Sequence, residues 1–157
     1  MELIPVLHNV SSVQRLADMA KLVYAFGIDT LVVSKAYGGA AQSGIPEAYR
    51  IALKHDKRLI VLPDLNDVVD LLKPDDILII TYSHARERID PINPPVYNGR
   101  ITIIFNGSEP DFSASEASIG KPIYFAGIKH RLGALGEAAL ILYGLTLRSG
   151  GRESGSI

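Results

Sequence analysis

Short apolar runs alternate along the chain with stretches in which apolar residues recur at helical spacing. The runs are rich in β-branched and aliphatic residues and predict six strands, at residues 3–7, 30–34, 59–62, 77–80, 101–105 and 122–125. The periodic stretches predict helices at residues 13–26, from 46 to about 55, at 66–73 and at 133–147, with Asn9, Ser11, Ser12 and Asn66 as candidate caps. Residues 37–44 and 81–99 are predicted to be loops.

The alternation of strands and helices predicts an α/β fold with a mostly parallel sheet and helices on both faces. In such sheets, ligands bind beyond the carboxyl ends of the strands. The loops that follow strands are therefore where chemistry is expected. A length of 157 residues suits one domain, at residues 1–148, followed by a Gly/Ser-rich tail at residues 149–157 that is predicted to be disordered.

Composition excludes several classes of protein. The chain has no cysteine, so disulfides, thiolate nucleophiles and Cys-ligated zinc are excluded. Its four histidines do not fall at metal-site spacing, so no metal is expected. The net charge of −1 leaves room for a nucleic-acid surface only as a local patch. No run approaches the roughly 18 apolar residues of a membrane span, so no membrane partner is expected and a cytoplasmic location is predicted.

Two nucleotide-directed chemistries are disfavoured by missing residues. A nuclease needs clustered carboxylates to hold Mg²⁺, but Asp75 and Asp76 precede a strand and no Glu-x-Lys strand follows them. The glycine-rich loop at 37–44 lacks the terminal Gly-Lys-Ser/Thr of a phosphate-binding loop, and is interpreted as a mobile loop near the active face. No Gly-x-Gly-x-x-Gly follows the first strand, so a dinucleotide site is unsupported.

Positive signals begin directly after the first predicted strand. Asn9 follows that strand, Arg15 lies six positions further on, and residues 25–29 read Ala-Phe-Gly-Ile-Asp before the second strand. Asn9 can cap the helix, and Arg15 can meet a phosphate or a ribose edge. An ordinary helix cap followed by a solvated arginine is the alternative interpretation.

Two further stretches follow later strands. Residues 103–109 read Ile-Ile-Phe-Asn-Gly-Ser-Glu, a strand end with a Gly-x-Glu turn, although Asn-Gly is also a common turn dipeptide. Residues 123–132 run from a short strand through a glycine and a cationic turn into the last helix. The strand and the helix lie so close in sequence that a ligand could reach backbone N–H groups at the start of the helix.

In order and spacing, the three stretches resemble the SPOUT (SpoU-like) RNA methyltransferases over most of residues 4–145. The third stretch matches the family at Ile123, Gly127, Leu132, Ala138, Ala139, Leu142 and Tyr143. It departs at Arg131, Gly133 and Leu135, where the family usually has serine, asparagine and serine. These departures motivate an alternative function, a knotted dimer that binds RNA or a nucleotide and has lost catalysis.

The resemblance implies an S-adenosylmethionine-dependent methyltransferase that modifies a ribose 2′-hydroxyl of tRNA or rRNA. It implies a C-terminal trefoil knot that holds the cofactor mainly through backbone groups of three loops. The cofactor-binding residues are then expected to be Thr81, Ser83, Asn106, Gly107, Glu109, Phe125, Gly127, Leu132 and Gly133. Arg15 and Asn9 are expected to be catalytic, with Arg15 stabilising charge and anchoring phosphate because a guanidinium does not lose its proton. Arg86, Arg88 and Arg131 are expected to contact RNA, a plain charged loop being the alternative for the first two.

The apolar pattern of the last helix predicts the oligomeric state. Residues 135–147 are apolar nearly all round, and Glu137 is the charged exception. One sheet in a single chain is expected to cover one side of this helix but hardly both. A two-fold homodimer is therefore predicted, in which the helix packs against the partner and Arg15 approaches the other subunit's cofactor loop. A helix sandwiched between the sheet and the first helix is the alternative.

Overall fold

The computed structural model describes residues 1–150, with side chains to residue 147, and shows one seven-stranded sheet with helices packed on it. The strands are β1 (Glu2–Val10), β2 (Thr30–Ala36), β3 (Arg58–Leu62), β4 (Asp76–Ile80), β5 (Glu87–Ile89), β6 (Arg100–Asn106) and β7 (Lys121–Phe125). The helices are α1 (Val13–Ala25), α2 (Ile45–Lys54), α3 (Leu65–Leu72), α4 (Ala114–Ala117) and α5 (Ala134–Gly150). Of the tail predicted from residue 149, residues 151–157 lie outside the described residues.

The strand order is β3-β2-β1-β6-β4-β7-β5, and each neighbouring pair in it is parallel. Strands β1, β2 and β6 are buried along most of their length, as expected for strands covered on both faces. From β1 the chain first adds strands on one side, and β6 later pairs with the other side of β1. The order thus reverses between β1 and β6, and a reversal of this kind opens a crevice at the carboxyl ends of the two strands.

Each face of the sheet has its own apolar core. The larger core joins the sheet to α1, α2 and α5, and includes Leu16, Ile51 and Ile141. The smaller core lies on the other face, where α3 packs against β1 and β2 and Phe112 adds its ring. Helices on both faces confirm the predicted α/β class. No helix within the described residues is long and apolar enough to cross a membrane.

Helix α5 is covered by the chain itself on two sides. It contacts α1 and β6 on one side. On another side, a Cβ placed on Gly144 would lie 2.9 Å from the Pro91 carbonyl carbon and 3.0 Å from Pro94 Cδ. Tyr97 of the same segment packs against the larger core. The expectation that one chain could hardly cover both sides of this helix is therefore wrong, because residues 91–97 cross over it.

Two predicted loops contain regular structure. Residues 81–99 include the short strand β5, which pairs in parallel with β7 at the edge of the sheet. Residues 37–44 end in a π-helical turn, Ala40–Gly44, that leads directly into α2. This turn packs closely on α1, since a Cβ on Gly44 would lie 3.2 Å from Leu16 Cδ2. Small residues, interpreted as a sign of mobility, here allow close packing.

The N-cap of helix α3 lies two residues before the predicted cap, Asn66. Asp64 is the N-cap, and its carboxylate accepts a hydrogen bond from the Leu65 N–H at 2.8 Å. Asp67 completes a capping box by accepting from the Asp64 N–H at 3.0 Å. Asn66 lies inside the helix, so its prediction as the cap is wrong. Helix α4, a single turn capped by Ser113, was not predicted.

A candidate binding cleft at the carboxyl ends of the strands

The site is built around the turn that follows β6. The Gly107 N–H donates to the His8 carbonyl at 2.7 Å, and a Cβ on Gly107 would lie 2.8 Å from Val10 Cβ. The Asn106 side chain closes the turn: its Nδ2 donates to the Pro110 carbonyl at 2.6 Å, and its Oδ1 accepts from the Ser108 N–H at 3.0 Å. The predicted Asn-Gly turn is therefore held against the end of β1, where a side chain at residue 107 would not fit.

Asn9 and Arg15 both contact this turn. The Arg15 guanidinium donates to the Gly107 carbonyl at 2.6 Å, and Asn9 Nδ2 donates to Ser108 Oγ at 2.9 Å. Asn9 does not cap α1, as the sequence had suggested it could. It lies in the left-handed region at φ 62°, and Ser12 is the cap, accepting from the Arg15 N–H at 3.1 Å.

Arg131 contacts the same turn from the opposite side. Its guanidinium donates to the carbonyls of Ser108, at 3.1 Å, and Glu109. The carbonyls of residues 107, 108 and 109 thus all accept from arginines that come from two different elements. Arg131 was expected to contact RNA, and the structure shows that at least part of its donor capacity is used to hold the turn.

A cleft of about 470 Å³ lies between these two arginines. Its lining comprises Arg15, Asn106, Ser108, Glu109, Arg131, Leu132, Gly133 and Ala134. The first residue of α5 therefore faces the cleft, and the N–H groups of a helix start lack intrahelical partners. Gly133 has a φ of 87°, and a Cβ built on it would meet nothing within 4 Å, so the backbone here borders open space.

The predicted cofactor residues after β4 and β7 do not line this cleft with their side chains. Thr81 Oγ1 donates to Asp111 Oδ1 at 3.0 Å, and the Ser83 N–H donates to Asp111 Oδ2 at 2.8 Å. Burial tends to raise the pKa of Asp111, but these hydrogen bonds and one from the Phe112 N–H outweigh it and hold that pKa below its usual value. Phe125 is buried in the larger core. Gly127, with a φ of 81°, is exposed in the loop that follows β7.

The two arginines expected to bind RNA after β4 do not line the cleft. Arg88 stacks over the Tyr82 ring at 4.8 Å and reaches to 5.5 Å from the Tyr124 ring. Arg86 borders a separate cavity of about 190 Å³ together with His84 and Ser118. The structure therefore does not bring Arg86, Arg88 and Arg131 into one pocket.

A buried glutamate, for which no functional role was predicted, is connected to the cleft through Tyr124. Glu137 in the first turn of α5 is 1% exposed, and its Oε2 accepts from the Tyr124 hydroxyl at 2.9 Å. The same hydroxyl accepts from the Leu132 N–H at 2.8 Å. Burial raises the pKa of Glu137 above its usual value, and raises the pKa of Tyr124 to about 12. The signal that could have revealed it in the sequence is its position as a lone acidic residue in an apolar helix.

A second polar cluster was also missed, on the other face of the sheet. The buried His8 ring lies 2.8 Å from Ser34 Oγ and 3.0 Å from Glu116 Oε2, and stacks on Phe112. Burial lowers the pKa of His8, although the hydrogen bond with Glu116 acts in the opposite direction. Because His8 and Ser34 are 1% and 0% exposed, this cluster joins β1, β2 and α4 rather than lining an open site.

Within the described part of the chain, no group of three or more histidine, cysteine or acidic side chains could hold a metal ion. Asp75, weighed in the sequence as a nuclease carboxylate, instead accepts from the Arg100 N–H at 2.8 Å.

In architecture the protein is SPOUT-like. The SpoU methyltransferase AviRb from Streptomyces viridochromogenes, solved with its cofactor AdoMet, superposes with a TM-score of 0.74 at 15% identity, covering 96% of this chain and 58% of AviRb. A Bacillus anthracis protein described as a "putative RNA methyltransferase" superposes with a TM-score of 0.72 at 11% identity, covering 99% and 98% of the two chains. The predicted SPOUT resemblance is thus confirmed for the fold.

Sequence comparison identifies a different family name. Residues 38–144 match the family described as RecB-family nuclease (DUF2122), and the chain belongs to this family. An Aeropyrum pernix protein named "Putative type II restriction enzyme ApeKORF2002P" is 53% identical over 154 residues, covering 98% of each chain. A Methanocaldococcus jannaschii protein named "Putative type II restriction enzyme MjaORF1200P" is 33% identical over 138 residues, covering 87% of this chain and 91% of the relative.

These names overturn the predicted function. The family and both relatives are named for nuclease or restriction activity, so the prediction of an RNA methyltransferase is wrong, as is the alternative that the protein has lost catalysis. The likeness to methyltransferases at 11–15% identity carries the fold alone.

Proposed function

We propose that the protein binds S-adenosylmethionine, or a related adenosyl thioether, in the cleft between Arg15 and Arg131. The observation that carries this proposal is the meeting of two guanidinium groups and the start of α5 around one cleft at the β1/β6 crevice. Its volume of about 470 Å³ is within the range of about 300–1,000 Å³ typical of small-molecule sites. A protein of the same fold, AviRb, was solved with this cofactor.

The chemistry of the lining suits such a ligand. Arginine forms bidentate contacts with carboxylates, so Arg15 and Arg131 would hold the carboxylate of the methionyl part. Backbone N–H groups at Gly133 and Ala134 would meet further acceptor atoms, since a helix start favours negative charge. The bound compound supplies an activated methyl group on a sulfonium, and the residues around it bind and orient it. The side chains of Ser108 and Asn106, held by their own hydrogen bonds, shape the opposite wall.

Titration calorimetry with S-adenosylmethionine and S-adenosylhomocysteine tests the proposal. Replacing Arg131 with alanine removes a charged donor worth about 1.5–3 kcal/mol, so the dissociation constant should rise by about ten-fold or more. The matched control is Arg50→Ala, because Arg50 is exposed on α2, pairs with Glu47 and does not line the cleft. Folded wild-type protein that binds neither compound would overturn the proposal.

The family is described as a nuclease, but the residues of this cleft do not provide a nuclease mechanism. A cation-dependent nuclease holds its metal through clustered carboxylates. The donor set of the described residues does not fit such an ion, as the absence of a suitable acidic or histidine group shows. We therefore derive no hydrolytic step from the site.

We further propose that nucleic acid is the macromolecular partner and approaches the rim of the cleft. Lys129 and His130 are exposed beside Arg131, and the aromatic ring of Tyr82 under Arg88 adds a stacking surface. Fluorescence anisotropy with single-stranded RNA and duplex DNA tests this. We expect binding that weakens as salt rises, and a weaker complex for Arg88→Ala but not for Arg50→Ala. No salt-dependent binding to either polymer would contradict it.

Two features implied by the SPOUT resemblance also remain proposals for this chain. A C-terminal knot is supported by the crossing of residues 91–97 over α5 at Gly144. A homodimer is supported by the exposed apolar side chains of Tyr143 and Leu132, which are 51% and 45% exposed. Light scattering distinguishes a dimer from a mass near the 17.0 kDa of one chain.

A further inference from the structure

The side chain of Glu137 has half of its hydrogen-bonding capacity unused. Its Oε2 accepts from the Tyr124 hydroxyl, whereas its Oε1 is buried and has no partner in the described structure. An unpaired buried polar atom is costly, and an unpaired buried charge much more so. The residue does not line the cleft, but lies three positions after Ala134, which does. This arrangement needs an explanation that packing does not supply.

Tyr124 connects this carboxyl to the wall of the cleft. Its hydroxyl donates a hydrogen bond to Glu137 Oε2 and accepts one from the Leu132 N–H, so these two partners together fix its orientation. The ring is fully buried and is held by an edge contact with Tyr82 at 5.3 Å and by Arg88 above it. Leu132 lines the cleft. Two hydrogen bonds in series therefore join Glu137 to the cleft backbone.

We propose that Tyr124 and Glu137 are positioning residues: the carboxyl of Glu137 orients the Tyr124 hydroxyl, and this hydroxyl fixes the Leu132 N–H at the ligand cleft. The proposal rests on the adenosyl-ligand function above and adds a pH dependence to it. Ligand affinity is highest while Glu137 is neutral and falls when it ionises, because a buried unpaired oxygen then carries charge.

The charged groups around Glu137 define the conditions of the test. Arg131 precedes it in the loop before α5 and favours ionisation, whereas Asp111 from the loop after β6 opposes it. Burial is the largest influence and acts with Asp111 to raise the pKa of Glu137, against the hydrogen bond from Tyr124 and the charge of Arg131. The Glu137 transition therefore falls above its usual pH range, and the lowered pKa of Asp111 keeps that residue charged there.

The variants are Glu137→Gln, Tyr124→Phe and, as a matched control, Tyr82→Phe. Glutamine reproduces the shape and the acceptor of a neutral carboxyl but does not titrate. Tyr82 also donates its hydroxyl to the same loop, at the Lys129 carbonyl, at 2.8 Å. The two readouts are the dissociation constant for S-adenosylhomocysteine across pH and the hydrogen-exchange rate of the Leu132 amide in the free protein.

We expect the wild-type dissociation constant to rise by about ten-fold as pH increases through the Glu137 transition, and that of Glu137→Gln to stay constant. Tyr124→Phe should weaken binding at every pH and speed exchange at Leu132, whereas Tyr82→Phe should leave that amide unchanged. Identical pH profiles for wild type and Glu137→Gln, or an unchanged Leu132 amide in Tyr124→Phe, would overturn the inference. Wild type that binds no adenosyl compound would instead refute the proposed function, since the exchange measurement does not depend on ligand.

Discussion

Replacing Gly144 with alanine tests the crossing of residues 91–97 over α5. On an exposed helix surface, this change would stabilise the protein by about 1 kcal/mol, because alanine is the better helix former. Here the new methyl group would lie 2.9 Å from the Pro91 carbonyl carbon, closer still to its oxygen, and 3.0 Å from Pro94 Cδ. Two of these three atoms belong to the backbone and cannot rotate away.

The clash should outweigh the gain in helix propensity. Overpacking of a well-packed interior costs about 1–3 kcal/mol, occasionally more, and contact with backbone favours the upper end of that range. We therefore expect a net loss of about 2 kcal/mol in the free energy of unfolding. For a chain of this size, that loss lowers Tm by about 4–8 °C.

Urea titration and thermal unfolding, each followed by circular dichroism, measure the effect. Gly136→Ala in the same helix is the control, because its methyl group would meet a side-chain atom, Leu132 Cβ, at 3.2 Å. The control should change stability by less than about 1 kcal/mol in either direction. If Gly144→Ala is as stable as wild type while the control behaves as expected, residues 91–97 do not lie across α5 as described.

Three further predictions concern single side chains. Asp64→Ala should lower the free energy of unfolding by about 1 kcal/mol, because the α3 cap is lost. The control Asn66→Ala should lower it by less than about 0.5 kcal/mol, and equal losses in urea titrations would contradict the cap assignment. The pKa of His8 is lowered on folding, so stability should be complete above its unfolded value of 6.5 and fall as pH drops below it; a His8→Gln variant with an equally steep decline near about pH 6 would refute this. The pKa of Glu137 is raised on folding from 4.5, so its contribution to stability should be complete below that value and be lost as pH rises through the raised pKa. The free energy of unfolding of Glu137→Gln should therefore gain on that of wild type as pH rises above 4.5, and a constant difference would be inconsistent with this.

Among the predicted site residues, the structure brings together Asn9 and Arg15, which are close in sequence. The two residues are six positions apart on one short segment, and both contact the same turn, at Ser108 and Gly107. The role of Asn9 was wrong in detail, because its left-handed backbone turns the side chain away from α1. Arg131 was interpreted from its cationic neighbours, and its contact with two backbone carbonyls could not be anticipated from them.

The fold could be predicted from the sequence, whereas the function could not. The chain shares its architecture with AviRb at 15% identity, while a protein that is 53% identical is named a restriction enzyme. One fold accommodates many activities, because activity depends on a few side chains that can change while the core is kept. The resemblance therefore led correctly to the fold and incorrectly to the function.

Local patterns were enough to identify six of the seven strands of the described sheet and most of the helices. The apolar runs at 77–80 and 101–105 both form strands, as their local pattern predicts, because backbone and burial preferences act over a few residues. Tertiary structure decided which distant groups meet. In the sequence, Glu137 is an isolated acidic residue in an apolar helix, and only the fold shows that it pairs with Tyr124. Likewise, only the fold shows that residues 91–97 cover a second side of α5. Such contacts join segments far apart in sequence, so their partners depend on the whole folded chain rather than on any local preference.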